Sequence, residues 1–124
     1  MKEVSIFREY RTSNKKWGEE RRTFANDDFD IFIWYDNSGS KITSFRIVRK
    51  EAMEWVESFS WNENTGAVIS LIDDESLRFS GTPLLGGTLK YLSHDFVTLL
   101  SKSIESLDIS VRPKILEVAG PLLR

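Results

Sequence analysis

The chain has one histidine in 124 residues, His94, and it is followed directly by Asp95. A His–Asp pair can orient a general base. In a helix, however, adjacent side chains do not face each other, and no serine stands at a spacing that would make a nucleophile of it. Cysteine is absent, which removes the thiolate nucleophile, the disulfide framework and the Cys-based zinc site. Ser93 as a helix N-cap and Asp95 in the first turn account for this stretch more simply, and no catalytic residue is assigned. Two acidic clusters, Asp27-Asp28-Phe29-Asp30 and Asp73-Asp74-Glu75, offer oxygen ligands of the kind that hold Mg²⁺ or Ca²⁺. Neither has EF-hand spacing, and both fall at strand–turn junctions where aspartate is common. Gly86-Gly87-Thr88-Leu89-Lys90 lacks the spacing of a phosphate loop and reads as a flexible connection, able to act as a lid. No metal and no cofactor is expected.

Charge is distributed unevenly. The net charge is −2 and the isoelectric point about 5.5, yet residues 1–22 carry seven Lys/Arg against four Glu. Residues 51–75 carry seven Asp/Glu and no Lys or Arg. The basic region interleaves charge with rings: Arg8, Tyr10, Arg11, Lys15, Lys16, Trp17, Arg21 and Arg22 form the pattern of a single-stranded nucleic-acid binder. Arg46, Arg49 and Lys50 would extend the set across a sheet. The acidic isoelectric point argues against that function, because dedicated binders carry a basic excess. The basic strands could instead lie beside the acidic segment and pair with it internally. Within that segment Trp55 and Trp61, flanked by Glu54 and Glu57, are candidate anchors for a protein partner.

These residues must be positioned by a few elements. Phe29-Asp30-Ile31-Phe32-Ile33-Trp34-Tyr35 alternates, with Phe29, Ile31, Ile33 and Tyr35 on one face and Phe32 and Trp34 on the other. Such a strand is expected to be central and covered on both sides. After the polar Asp36–Ser40 loop, a second run places Phe45 and Ile47 on one face and Ile42 and Val48 on the other, beside Ser44 and Arg46. Together they read as a hairpin. Val4 to Tyr10 reads as a strand with Phe7 opposed to Val4, Ile6 and Tyr10, and Arg21 to Phe24 as a short strand or extended lead-in. Glu51 to Trp61 fits helix and strand, and the interleaving of Glu and Ser with large aromatics favours strand. Asn62–Gly66 is a turn, Ala67 to Ile72 a two-faced strand, and Leu77–Ser80 a further short run. Phe96, Leu99, Leu100, Ile104 and Leu107 then form the stripe of an amphipathic helix. A last helix is expected from Pro113 to Ala119, with Gly120 as its stop.

The run Phe24-Ala25-Asn26-Asp27-Asp28-Phe29-Asp30-Ile31-Phe32-Ile33-Trp34-Tyr35-Asp36, with Gly39 and Ser44-Phe45-Arg46-Ile47, resembles a group of small uncharacterised bacterial proteins. They share an Arg-rich lead-in, an Asp-Phe/Leu-Asp-hydrophobic-Trp strand and a following hairpin strand. The resemblance implies no activity and no site residues.

The chain therefore reads as a single α+β domain over residues 1–124, an antiparallel sheet of about five or six strands with two C-terminal helices on one face. The first residues lack the apolar core of a signal peptide, and no run approaches the length of a membrane span, so the expected location is the cytoplasm and no membrane partner is expected. The leading functional expectation is a non-enzymatic protein-interaction module, possible as a homodimer through its charged patches or a sheet edge. The alternatives are a single-stranded nucleic-acid binder, or a small-ligand binder with its pocket between sheet and helices.

Overall fold

Side-chain alternation in the central hairpin decides the layering of the whole molecule. The structure is a computed structural model that describes residues 5–10, 21–72, 88–89 and 91–123. Its strands are β1 (Arg8–Tyr10), β2 (Arg21–Ala25), β3 (Phe29–Tyr35), β4 (Ile42–Glu51), β5 (Glu54–Asn62), β6 (Gly66–Leu71) and the two-residue β7 (Thr88–Leu89). They form one antiparallel sheet in the order β1-β2-β3-β4-β5-β6-β7, each strand paired with its neighbour in sequence. Two helices follow, α1 (His94–Ser103) and α2 (Arg112–Ala119), joined through a 3₁₀ turn at Ile104–Ser106. The fold is α+β.

One face of the sheet, the inner face, is packed against the helices. Phe24, Phe29, Ile31, Ile33, Phe45, Ile47, Phe59 and Ile69 are buried there, against Phe96, Leu100, Ile104, Leu107, Val111 and Ile115. Register explains the set: Ile31 stands opposite Ile47, Ile33 opposite Phe45, and Ile47 opposite Phe59. The ring of Phe96 meets Phe29 edge-on at 5.2 Å between centroids, an arrangement favoured by the aromatic quadrupole. On the outer face the alternate positions Phe32 and Trp34 are only half-buried. The strand is interior in the sheet as expected, and its cover is complete on the inner face and partial on the outer one, since the described helices all pack inside.

Three local outcomes follow from backbone chemistry. Ile42 joins the inner core rather than lying beside Ser44 and Arg46, because the register shifts between Trp34 and Tyr35 and pairs Tyr35 with Ile42. Glu51 to Trp61 resolves as strand, and Ala52-Met53 form a two-residue hairpin turn with φ of 51° and 70°. Positive φ at both central positions is the backbone of a type I′ turn, whose twist matches the flanking strands although neither residue favours it. Helix α1 starts as its sequence dictates, the Ser93 hydroxyl accepting from the Phe96 N–H at 3.1 Å. Helix α2 begins one residue before Pro113. Gly120 does not stop the chain in a left-handed conformation but continues at φ −51° into a 3₁₀ turn at Gly120–Leu123.

The expected run at Leu77–Ser80, the Gly86-Gly87 loop and the acidic Asp73-Asp74-Glu75 cluster lie outside the described residues. Among the described residues no helix is long and apolar enough to cross a membrane, and no group of three or more metal-ligating side chains converges.

Candidate functional site

A period of two along each strand forces neighbouring residues onto opposite faces, and this splits the basic cluster. Arg21 pairs with Trp34 on the outer face, whereas Arg22 turns inward beneath the sheet rim. There Arg22 makes a bidentate contact with Glu9 at 2.7 Å for each oxygen, donates to Ser110 Oγ at 2.6 Å and approaches Asp108 at 3.5 Å. The hydrogen bonds that Arg22 donates to Glu9 raise its pKa strongly, burial opposing them. Asp108 is held below the usual carboxylate range first by the Ser110 hydroxyl, then by the Ser110 N–H and Arg22. Arg22 thus ties β1, β2 and the α1–α2 connection together. It is a structural residue. Arg11, Lys15, Lys16 and Trp17 lie outside the described residues.

The acidic segment is divided by the same rule. Glu57 is 1% exposed and faces inward, its Oε1 accepting from Arg49 Nε at 3.0 Å and from Ser93 Oγ at 2.5 Å. Its Oε2 accepts from the Ser93 N–H at 2.8 Å. A buried carboxylate with both oxygens already accepting hydrogen bonds offers nothing to a partner, so the expectation that Glu57 helps anchor one is corrected: it clasps the centre of the sheet to the start of α1. Burial works to lower the pKa of Arg49, and the hydrogen bonds it donates to Glu51 and Glu57 outweigh it, leaving the pKa raised. Arg49 is likewise removed from any basic surface. Trp61 is half-buried on the inner side, 5.6 Å from the Phe45 ring and covered by the Lys114 ammonium at 4.7 Å. Glu54 is exposed at the start of β5. β2 pairs with β1 and β3 and not with β5, so among the described residues the cross-strand pairing of the basic set with the acidic segment runs through Arg49 on β4, which meets Glu51 and Glu57.

What remains on the outer face is a surface that no single stretch of sequence displays. Register brings Arg8, Tyr10, Arg21, Phe32, Trp34, Ser44, Arg46, Lys50 and Ser60 onto it from five strands. Trp55 joins them: its ring is edge-on to Phe32 at 6.0 Å, its Nε1 donates to Asp30 Oδ2 at 2.8 Å, and it is 38% exposed. Arg21 lies over the Phe32 ring at 5.7 Å, and its buried Nε has no hydrogen-bond partner. Asp30, the strand carboxylate of this face, is engaged by Lys50 Nζ at 2.9 Å. Among the described residues Arg8, Arg21 and Arg46 have no ion-pair partner. The Val48, Ser58 and Ser70 positions of the face are buried, with Ser58 and Ser70 hydroxyls 2.9 Å apart.

Among the described residues, cavities that are not lined by the helices lie along this face and its ends. One of about 350 Å³ is bordered by Trp34, Ser44, Arg46, Ser60 and Asn62, and one of about 500 Å³ continues from Trp34 and Ser44 toward Asp36 and Asn37. A third, of about 760 Å³, lies at the opposite end beside Arg8, Tyr10, Asp27, Lys50 and Met53. Asp36, at the rim, folds onto its own turn: the Ser38 hydroxyl and the Ser40 and Lys41 N–H groups donate to it and lower its pKa. His94 is exposed at the helix start, 3.4 Å from the Thr98 hydroxyl, and is remote from these cavities' linings. Among the described residues of this face there is no nucleophile with its activator, and its one carboxylate, Asp30, is held by Lys50 and Trp55. The face can bind; its chemistry is aromatic and cationic.

No family model matches this chain, and no curated protein and no solved structure is detectably similar to it.

Proposed function

We propose that this protein is a non-enzymatic interaction module of the cytoplasm and that its working surface is the outer face of the sheet. One observation carries the reading: Arg8, Arg21 and Arg46, without ion-pair partners among the described residues, share that face with Tyr10, Phe32, Trp34 and Trp55. Tryptophan, tyrosine and arginine dominate the energetics of protein interfaces, because they bury large area at little conformational cost and still donate hydrogen bonds. Self-association across this face is disfavoured. A two-fold axis through it would set each arginine against the same cationic patch on the second copy. The partner is therefore a different chain.

Affinity capture from the native cells followed by reconstitution of the binary complex tests the proposal. Trp55→Ala is expected to weaken the reconstituted complex by ~10-fold or more, as truncation of a central aromatic does. Lys102→Ala, on the exposed side of α1, should leave it unchanged. A binary partner that binds wild type, Trp55→Ala and Arg21→Ala equally would refute the assignment of the surface.

A further inference from the structure

The groove beside Arg46 specifies more than a location. Arg46 lies between Phe32 on β3 and Ser60 on β5, and its Nε donates to Ser60 Oγ at 3.1 Å. That single bond fixes the orientation of the guanidinium and leaves its terminal nitrogens uncommitted among the described residues. Carboxylates near the groove are already engaged: Asp30 with Lys50, Asp36 with its own turn, and Glu63 with Lys41 at 2.9 Å. The terminal nitrogens of a planar fork, with no acceptor among the described residues and beside a half-buried indole, are a receptor for an oxyanion.

Resting on the surface assigned above, we propose that Arg46 anchors an aspartate or glutamate side chain of an acidic protein segment, seated between Trp34, Ser44, Ser60 and Asn62. Charge favours a carboxylate-bearing protein over a polynucleotide. Among the described residues, the cations of the face without an ion-pair partner are three separate arginines. They match a few discrete carboxylates better than a continuous phosphate track.

The test uses the intact protein and three labelled probes at low salt: a peptide alternating Glu and Ser, the same peptide with Gln for Glu, and an oligothymidylate of equal charge. Binding is followed by anisotropy, and the Arg46 Nε–H resonance is followed by NMR. The acidic peptide is expected to bind, to shift that resonance, and to lose ~10-fold or more in affinity with Arg46→Gln, the scale of one charge-assisted bidentate contact. Arg46→Lys should restore only part of it. Should Arg46→Gln perturb folding, the resonance shift in the wild-type protein decides alone. Equal binding of the Gln peptide, or an unmoved Arg46 resonance, overturns the anchor. Tighter binding of the oligothymidylate overturns the acidic-protein partner in favour of nucleic acid. Because Trp55→Ala is read in the reconstituted complex, failure of the anchor leaves the surface assignment to stand or fall separately.

Discussion

Removing the Glu57 carboxylate should be the most damaging single polar change in this protein. Glu57→Ala leaves the Ser93 N–H and hydroxyl without their acceptor and strips Arg49 of one of its two carboxylates, Glu51 remaining 2.5 Å from its Nη1. Arg49 and Glu57 are both buried, and breaking a buried pair from one side costs about 3–5 kcal/mol, more than the pair's net worth, because desolvated groups are left unpaired. Arg49 keeps Glu51, so the lower half of that range is expected. The loss should appear as a lower urea midpoint with unchanged m, followed by tryptophan fluorescence. Ser93→Ala removes the N-cap acceptor for Phe96 as well as a donor to Glu57, and should cost roughly 1–2 kcal/mol. The double variant should lose less than the sum by about 1 kcal/mol or more, since both changes delete the same hydrogen bonds. A loss below about 1 kcal/mol for Glu57→Ala, or strict additivity, would refute the clasp.

Other outcomes follow from the same structure. Ala52 and Met53 both occupy the left-handed region, and Met53 is 90% exposed, so Ala52→Asn with Met53→Gly should stabilise by about 0.5–1.5 kcal/mol; an unchanged or lower urea midpoint would contradict the turn assignment. The Asp36 and Asp108 carboxyls should titrate by NMR below 3.8, the ordinary value. The linked stability is fully present above 3.8 and is lost as pH falls from there through the folded-state midpoints, because the unfolded chain takes up those protons first. Midpoints at or above 3.8 would show that the Ser38 and Ser110 hydroxyls do not hold them. Light scattering at low and high salt should report a monomer in both, since paired outer faces oppose like charges; a salt-sensitive dimer would redirect attention to the sheet edges.

The sequence alone carried the parts of this protein that depend on local periodicity. Alternation in Phe29–Tyr35 and in Phe45–Ile47 determined which side chains entered the core, and Ser93 with the Phe96–Leu100 stripe determined where and how α1 begins. Order along the chain, strands before helices, determined the α+β class, while the neighbour-to-neighbour strand order was left to the tertiary structure. The bulge that turned Ile42 inward and the positive-φ turn at Ala52-Met53 left no mark in composition, because neither uses a glycine. The candidate site was the least legible. Arg8, Arg21, Trp34, Arg46 and Trp55 are far apart in the chain, and only strand register places them on one face. The same register sends Arg22, Arg49, Glu57 and Trp61 to the other face, where packing and ion pairing engage them. A charge cluster counted along the sequence cannot distinguish these fates. A side chain's availability is decided by which face it takes and what it meets across the strands, and those are tertiary facts.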